Sequence, residues 1–118
     1  MPQPDAKAGQ PVTPAMFRDM FRRHPAGVIV ITAEGEAGPV ALTATSLISI
    51  SADPPAVAFS LSSQSTSAAA FRGAEHVVIH FIRNSDRALA ERCATRGIDR
   101  FGPGVAWERL PTGEPRFI

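Results

Sequence analysis

The sequence predicts a mainly β protein with flanking helices, in which short antiparallel strands form one barrel. At least four stretches with alternating or continuous apolar residues are bounded by Gly, Pro or Asp, which is typical of strands. Most connections between them are too short for the crossovers of a parallel sheet, which need a dozen or more residues. Helical patterns lie before, between and after the strands. We therefore expect an antiparallel barrel with helical plugs.

Length and composition limit the possible functions. The 118 residues are enough for one domain with a single core, and 44% hydrophobic residues give ordinary globular composition. A net charge of +1, with scattered arginines, argues against a nucleic-acid partner. The lone Cys93 excludes an internal disulfide and fits a reducing compartment. No apolar run reaches the roughly 20 residues that span a bilayer, so we expect a soluble cytoplasmic protein without membrane contact.

The N-terminal part predicts an arm followed by a helix. Residues 1–12 contain no periodic apolar pattern and predict a flexible arm ahead of a domain that spans residues 13–118. Thr13 is a good N-cap, and apolar side chains at helical spacing predict a helix over residues 14–23. The helix should end there, because the residue that precedes Pro25 is disfavoured in the helical conformation.

Several later segments have strand patterns. A continuous β-branched run predicts a strand buried on both faces, and the following segments alternate between apolar and polar residues. Ser46 lies where the alternation changes phase and predicts a kink. Asp53, Pro54 and Pro55 should interrupt the sheet, since proline donates no ladder hydrogen bond. The predicted strands are residues 27–32, 39–45, 47–51, 57–62 and 76–82, with a further strand beginning at residue 116.

Two helices should lie among these strands. Ser65 is the predicted cap of a short helix that runs through Arg72 and ends at Gly73. A second helix should begin at residues 85–86 and close at Gly97, with Cys93 as a small core residue on its apolar face. The chain that follows contains Gly and Pro and predicts irregular structure.

The stretch from Pro39 to Ser67 is the candidate binding region. It has eleven Ser or Thr hydroxyls and one charge, Asp53, with apolar side chains at nearly every other position. Such a segment can bury one face and offer neutral hydrogen-bond donors on the other, as a site for a polar cofactor requires. Ser- and Thr-rich sequence is also common in solvated turns, and composition alone leaves both interpretations open.

Other chemistries lack their motifs. The sequence has no glycine fingerprint for nucleotides and no phosphate loop ending in Lys-Ser or Lys-Thr. His24, His76 and His80 do not have metal-ligand spacing, so no metal site is expected. A Gly-x-Ser-x-Gly elbow is absent, which argues against a hydrolase. We interpret His80 as a packed residue and not as a catalyst.

An ordered set of motifs resembles a known family. The motifs are Pro25-Ala26-Gly27-Val28, Leu42-Thr43-Ala44-Thr45-Ser46, Asp53-Pro54-Pro55, Ser60-Leu61-Ser62-Ser63-Gln64-Ser65-Thr66 and Asp99-Arg100-Phe101. In this order they resemble the flavin reductase family of the FMN-binding split barrel, and the resemblance extends from residue 16 to about residue 116.

The resemblance implies a fold, an activity and a site. The fold is an antiparallel Greek-key split β-barrel, and the protein would be a homodimer that binds FMN or FAD and reduces it with NADH or NADPH for a separate monooxygenase. No catalytic side chain is needed, because the cofactor carries the hydride chemistry. The implied residues around the flavin ring and ribityl chain are Thr43, Ala44, Thr45 and Ser46. Those for the ribityl hydroxyls and phosphate are Ser60, Ser62, Ser63, Ser65 and Thr66.

Two departures from the family pattern leave alternatives open. His80 stands where the family commonly has Asn, and the family continues through two further strands, so we expect the domain to be incomplete at its C-terminal end. A flavin-binding module without turnover is therefore the alternative to a reductase. For Ser65 and Thr66, ordinary helix capping is the alternative to phosphate binding. A related oxidase of pyridoxamine phosphate would need Arg- or Lys-rich contacts, which residues 39–67 lack.

Overall fold

The structure is a computed structural model that describes residues 11–22 and 27–118. One helix precedes the first four strands, two more helices flank the fifth strand, and two short strands follow; all strand pairs are antiparallel. A 3-10 turn, Asn84–Asp86, lies directly before the third of these helices. The elements are α1 (Pro14–Arg22), β1 (Ile29–Gly35), β2 (Gly38–Ala44), β3 (Ile48–Ala52), β4 (Pro55–Ala58), α2 (Ala68–Gly73), β5 (Val78–Phe81), α3 (Arg87–Ala94), β6 (Trp107–Arg109) and β7 (Pro115–Phe117).

Helix α1 confirms the predicted first helix to within one residue. The Thr13 hydroxyl accepts a hydrogen bond from the Met16 backbone N–H at 3.2 Å, so Thr13 is the N-cap. The predicted arm lies outside the described residues except for residues 11 and 12, which are exposed. No helix of the described part of the chain is long and apolar enough to cross a membrane.

Strand β1 is the centre of the main sheet, whose strand order is β2-β1-β5. Its first five residues are all buried, which confirms a strand in the β-branched run, although β1 begins two residues later than predicted and ends three residues later. Ile29, Ile31 and Ala33 pack in one core cluster with Phe71 of α2. Val30 belongs to a second cluster on the opposite face. The β-branched residues are therefore continuous because both faces of this strand are covered.

The kink predicted at Ser46 is present. Strand β2 ends at Ala44, and β3 belongs to a different sheet, the two-stranded hairpin β3–β4. The two-proline segment makes the turn of this hairpin, and Pro55 is the first residue of β4. The strand predicted over residues 57–62 is wrong at its end, because β4 stops at Ala58.

The predicted helix boundaries need two corrections. Helix α2 begins at Ala68 with Ser67 at its N-cap, and Ser65 lies two residues earlier. The Ser65 hydroxyl instead accepts a hydrogen bond from the Ser67 N–H at 3.3 Å and stabilises the turn before the helix. Helix α3 ends at Ala94, three residues before the predicted Gly97. Its buried Cys93 is the predicted small core residue.

The C-terminal hairpin β6–β7 includes a strand, β6, that was expected to be irregular. Trp107 packs edge-on against Phe101, with ring centroids 5.0 Å apart, and Phe101 stacks on Phe117 at 4.9 Å. The buried Thr32 hydroxyl of β1 donates a hydrogen bond to the Pro115 carbonyl of β7. The hairpin is thus attached to the main sheet by aromatic packing and by hydrogen bonds from side chains.

The described strands form one three-stranded sheet and two hairpins, and they do not close a barrel. The predicted mainly β fold with flanking helices is therefore confirmed, whereas the antiparallel barrel is open in the described part of the chain. The physical reason is that β3–β4 and β6–β7 each pair only with themselves in the described part of the chain.

Candidate functional site

A cleft of about 790 Å³ lies beside β2 and is the best candidate for a ligand site. Its size is within the roughly 300–1,000 Å³ typical of small-molecule and cofactor sites. Three segments form its walls: β2 with the residues that follow it, the loop before α2, and the chain from the end of α3 onward. In residue numbers, these walls are 39–46, 60–62 with 64–67, and 93–94 with 96–101.

The cleft brings together eight of the nine cofactor residues predicted from the sequence. Those that line it are Thr43, Ala44, Thr45, Ser46, Ser60, Ser62, Ser65 and Thr66. Ser63 is the exception and is exposed beside the second wall. Two stretches that are separated along the chain thus face one space.

A single side chain joins the first two walls. The Ser46 hydroxyl donates to the Ser60 carbonyl at 3.2 Å and accepts from the Ser60 N–H at 3.0 Å. With these two bonds, the N–H and the carbonyl of Ser60 have hydrogen-bond partners without pairing to another strand, which explains why β4 ends before this residue. Ser46 therefore holds the wall in place.

Three other hydroxyls are also occupied within the chain. The Thr43 hydroxyl donates to the Ala90 carbonyl at 2.6 Å and connects β2 to α3. The Ser62 and Ser65 hydroxyls accept hydrogen bonds from backbone N–H groups two residues later, both at 3.3 Å. These side chains shape the loops of the cleft. The Ser62 and Ser65 hydroxyls donate to no acceptor among the described residues, so both can still donate to a ligand.

Among the exposed residues of the cleft, three have hydroxyls that make no hydrogen bond within the described part of the chain. They are Thr45, Ser60 and Thr66. A hydroxyl can both donate and accept, so each can contact a polyhydroxylated or anionic ligand. The cleft therefore has free neutral donors on two of its walls.

The third wall was missed by the sequence analysis, and it carries positive charge. Arg96 and Arg100 line the cleft there. Arg100 is fixed because its guanidinium donates to the Ala41 carbonyl of β2 and, at 3.1 Å, to the Thr95 carbonyl. Arg96 is exposed and has no ion pair or hydrogen bond among the described residues. The Asp99-Arg100-Phe101 motif was the one signal that could have pointed to this wall.

The cleft offers binding groups and no catalytic pair. Asp99 is the one carboxylate among its lining residues, and its Oδ1 accepts from the Phe101 N–H at 3.0 Å. Cys93 also borders the cleft but is only 1% exposed, and burial raises the pKa of its thiol despite the opposing effect of Arg100 and Arg92. A protonated buried thiol is a poor nucleophile. The site can thus bind and orient a polar ligand but has no side-chain nucleophile with a base.

His80 lies outside the cleft lining, in agreement with its interpretation as a packed residue. Its Nδ1 is 2.9 Å from the Val30 carbonyl oxygen, and its Nε2 is 3.0 Å from the Phe117 backbone nitrogen. Burial lowers its pKa, with a smaller lowering from Arg116 and an opposing effect of the Val30 carbonyl. The described residues contain no cluster of three or more His, Cys, Asp or Glu that could hold a metal ion.

Known proteins resemble this chain in both sequence and structure. Residues 21–117 match the sequence model of a family described as the flavin reductase like domain. The NADH:FMN oxidoreductase of Rhodococcus qingshengii is 43% identical over 99 residues, covering 84% of this chain and 52% of that protein. The reductase component of 4-nitrophenol 4-monooxygenase/4-nitrocatechol 2-monooxygenase from Rhodococcus opacus is 32% identical over 92 residues, covering 78% and 50%.

A solved structure gives the same result. The flavin reductase domain protein from Arthrobacter sp. FB24 superposes with a TM-score of 0.80 at 38% identity, over 87% of this chain and 64% of that chain. The chain spans about half the length of the two relatives named above. The domain match covers most of the sequence, and similar sequences share its fold. The chain therefore belongs to the flavin reductase like domain family.

Proposed function

We propose that this chain binds a flavin, FMN or FAD, in the cleft and takes part in its reduction by NADH or NADPH. The observation that carries the proposal is the convergence of the two hydroxyl-rich stretches on one cleft of suitable size. Family membership supports the same ligand, and the Rhodococcus qingshengii relative is named an NADH:FMN oxidoreductase.

The residues of the cleft fit a flavin. We propose that the backbone and side chains of residues 43–46 contact the ring and ribityl chain, while the loop of residues 60–66, Ser63 included, takes the ribityl hydroxyls and phosphate. Free hydroxyls at Thr45 and Thr66 can donate to such groups. The exposed Arg96 adds a cation to a site for which neutral donors alone were expected, and a guanidinium suits phosphate recognition.

In this proposal the protein binds and orients, and its side chains transfer no proton. A bound flavin supplies the redox chemistry by accepting a hydride from the nicotinamide. Arg100 holds the third wall against β2, and Ser46 holds the second wall against the first, so the two contacts fix the width of the cleft. Such fixed walls keep the donors in position before the ligand arrives, which lowers the entropic cost of binding.

Anaerobic mixing of the purified chain with FMN and NADH tests the proposal. We expect the yellow flavin absorbance to bleach faster than in a mixture without protein. The double variant Thr45→Ala, Thr66→Ala should bind FMN more weakly, whereas the matched control Ser49→Ala, on β3 outside the cleft lining, should behave as the wild type. FMN binding without bleaching would support the flavin-binding module, and no FMN binding would overturn the proposal.

We also propose that the protein is a homodimer in which the hairpins complete an antiparallel Greek-key split barrel. Support comes from the hairpin β3–β4, where the side chains of Ile48, Ile50 and Val57 are 57%, 59% and 52% exposed. Because Val57 pairs with Ser49 and Ile48 pairs with Ala58, exposed apolar residues lie on both faces of the hairpin, which favours a covering partner. Light scattering at micromolar concentration should give twice the chain mass, and a monomer that binds flavin would contradict the dimer.

A separate flavin-dependent monooxygenase is the proposed recipient of the reduced flavin. The Rhodococcus opacus relative is named as the reductase component of a monooxygenase system, which supports this partner. The free buried thiol of Cys93 is consistent with the proposed cytoplasmic location. Addition of such a monooxygenase with its substrate should convert NADH oxidation into product formation, and the absence of coupling would argue against this role.

A further inference from the structure

The imidazole of His80 connects three strands of two different sheets. It belongs to β5, faces the Val30 carbonyl of β1 at 2.9 Å and meets the Phe117 N–H of β7 at 3.0 Å. The ring also packs against the Phe117 ring, with centroids 5.5 Å apart. Together with the bond from Thr32 to the Pro115 carbonyl, this contact attaches the hairpin β6–β7 to the main sheet.

The two partners define one protonation state of the ring. The Phe117 N–H can only donate, so Nε2 must carry a lone pair, while the Val30 carbonyl can only accept, so Nδ1 must carry the hydrogen. A proton added to Nε2 would face the Phe117 N–H and replace an attraction by a repulsion between two donors. The contact therefore requires neutral imidazole in its Nδ1–H tautomer.

The surroundings of His80 also oppose a positive charge. The β1 residues that pair with β5, residues 29–32, are uncharged. From β7, the guanidinium of Arg116 acts on the ring, and this arginine pairs with Glu108 of β6 at 3.2 Å. Burial is the main cause of the lowered pKa of His80, and Arg116 adds to it. Among the described residues, no carboxylate raises the pKa of His80.

Aromatic contacts connect this ring to the cleft. Phe117 stacks on Phe101 with centroids 4.9 Å apart and nearly parallel rings, at 13°. Phe101 in turn lines the cleft and packs against Trp107. Displacement of Phe117 therefore changes the support of one cleft wall.

We propose that His80 is a positioning residue that holds the hairpin β6–β7 in place when neutral and releases it when protonated, so that the wall formed by Phe101 depends on pH. The residue acts through Phe117 and does not contact the ligand. The part of the proposal that concerns the hairpin is independent of the ligand. The part that concerns the cleft rests on the proposed function.

Intrinsic fluorescence tests the hairpin directly, because Trp107 is the only tryptophan of the chain and lies in this cluster. Without flavin, the wild type should show a fluorescence transition with a midpoint below the ordinary histidine value of 6.5. His80→Gln should lack this transition. The matched control His76→Gln, at an exposed position before β5, should retain it. A transition unchanged in His80→Gln would overturn the proposal.

Nitrogen NMR of the imidazole rings tests the same contact in the wild type, even where His80→Gln fails to fold. We expect His80 to give the signals of an Nδ1–H tautomer and to titrate with a midpoint below 6.5. An Nε2–H tautomer, or a midpoint at or above 6.5, would refute the assigned contact.

The cleft is tested by FMN titrations at two pH values. Between about pH 7.5 and a pH about one unit below the midpoint of the fluorescence transition, the dissociation constant of the wild type should rise about fivefold more than that of His80→Gln, the lower end of typical coupling between sites. The FMN phosphate also titrates in this range, with a second pKa of about 6, but its effect on binding is common to both proteins and cancels in the comparison. Equal rises would refute the effect on the cleft. Absence of FMN binding at both pH values would refute the proposed function and leave the fluorescence result to decide on the hairpin.

Discussion

The Ser46 hydroxyl offers the sharpest test of how the cleft is built, because it makes two hydrogen bonds to the backbone of Ser60. Ser46→Ala removes both and leaves the Ser60 N–H and carbonyl without a protein partner. The neighbouring Thr45 also lines the cleft, but its hydroxyl makes no hydrogen bond among the described residues. The two substitutions therefore separate support of the wall from contact with the ligand.

The expected magnitudes follow from the exposure of the contact. A neutral hydrogen bond contributes about 0.5–1.5 kcal/mol, and water can replace these two at the exposed Ser60, so Ser46→Ala should cost about 1 kcal/mol in total. For a domain of this size that lowers the Tm by about 4 °C. Thr45→Ala should change the Tm by less than about 2 °C, as is usual for a surface position. Each substitution should weaken FMN binding, Thr45→Ala by roughly two- to tenfold.

Thermal melts and amide hydrogen exchange measure these effects. Exchange at the Ser60 amide should accelerate about fivefold in Ser46→Ala, the equivalent of 1 kcal/mol, and remain unchanged in Thr45→Ala. Ser46→Thr retains a hydroxyl and serves as the rescue variant. An unaltered Tm and an unaltered Ser60 exchange rate in Ser46→Ala would refute the assigned role of this side chain.

Three further predictions concern the phosphate, the hairpin turn and acid stability. Thr66→Ala should reduce the preference for FMN over riboflavin about tenfold with little effect on riboflavin, measured by flavin fluorescence quenching; equal weakening of both would remove the phosphate from this wall. Gly35→Ala should destabilise the fold by about 1–3 kcal/mol in urea, because the new Cβ would lie 3.0 Å from the Cβ of Ala70; an unchanged midpoint would contradict this packing. The native pKa of His80 is below 6.5, so the unfolded chain binds the proton first, and the contribution of His80 to stability should be present above pH 6.5 and decline as the pH falls below it. Denaturant curves of the wild type and His80→Gln with the same pH dependence would contradict it.

Much of the fold could be predicted from local sequence because local physics determines it. A β-branched run is continuous only where both faces are covered, and β1 is such a strand. The phase change at Ser46 marks the place where the chain leaves one sheet for another. Helix α1 begins and ends close to its cap and its proline signals.

The errors arise where a distant partner overrides the local pattern. Residues 59–62 alternate as a strand does, yet Ser46 binds the Ser60 backbone and removes it from the ladder. Strand β6 has only three residues and depends on packing between Trp107 and Phe101, which no local pattern reveals. Helix α2 begins later than predicted because the Ser65 hydroxyl accepts a hydrogen bond from the Ser67 N–H and stabilises a turn there.

The hydroxyl-bearing residues of the candidate site could be predicted from the sequence, whereas its positively charged residues could not. The motif Leu42-Thr43-Ala44-Thr45-Ser46 and the serine-rich loop both line the cleft, as their composition suggested. Arg96 comes from a segment about thirty residues further along the chain and reaches the cleft only through the position of α3. The residues next to the hydroxyl-rich motifs therefore gave no indication that an arginine from a later segment would line the same cleft.

The most direct test of the central claim is a map of backbone amide shifts upon titration of FMN into the purified chain. The largest changes should occur in the three walls of the cleft, at residues 43–46, 60–67 and 96–101. Amides of the exposed hairpin β3–β4, such as Ser49 and Ser51, serve as internal controls and should move little. Shifts concentrated outside the three walls, or saturation without any change at residues 43–46, would contradict the claim that this cleft is the flavin site.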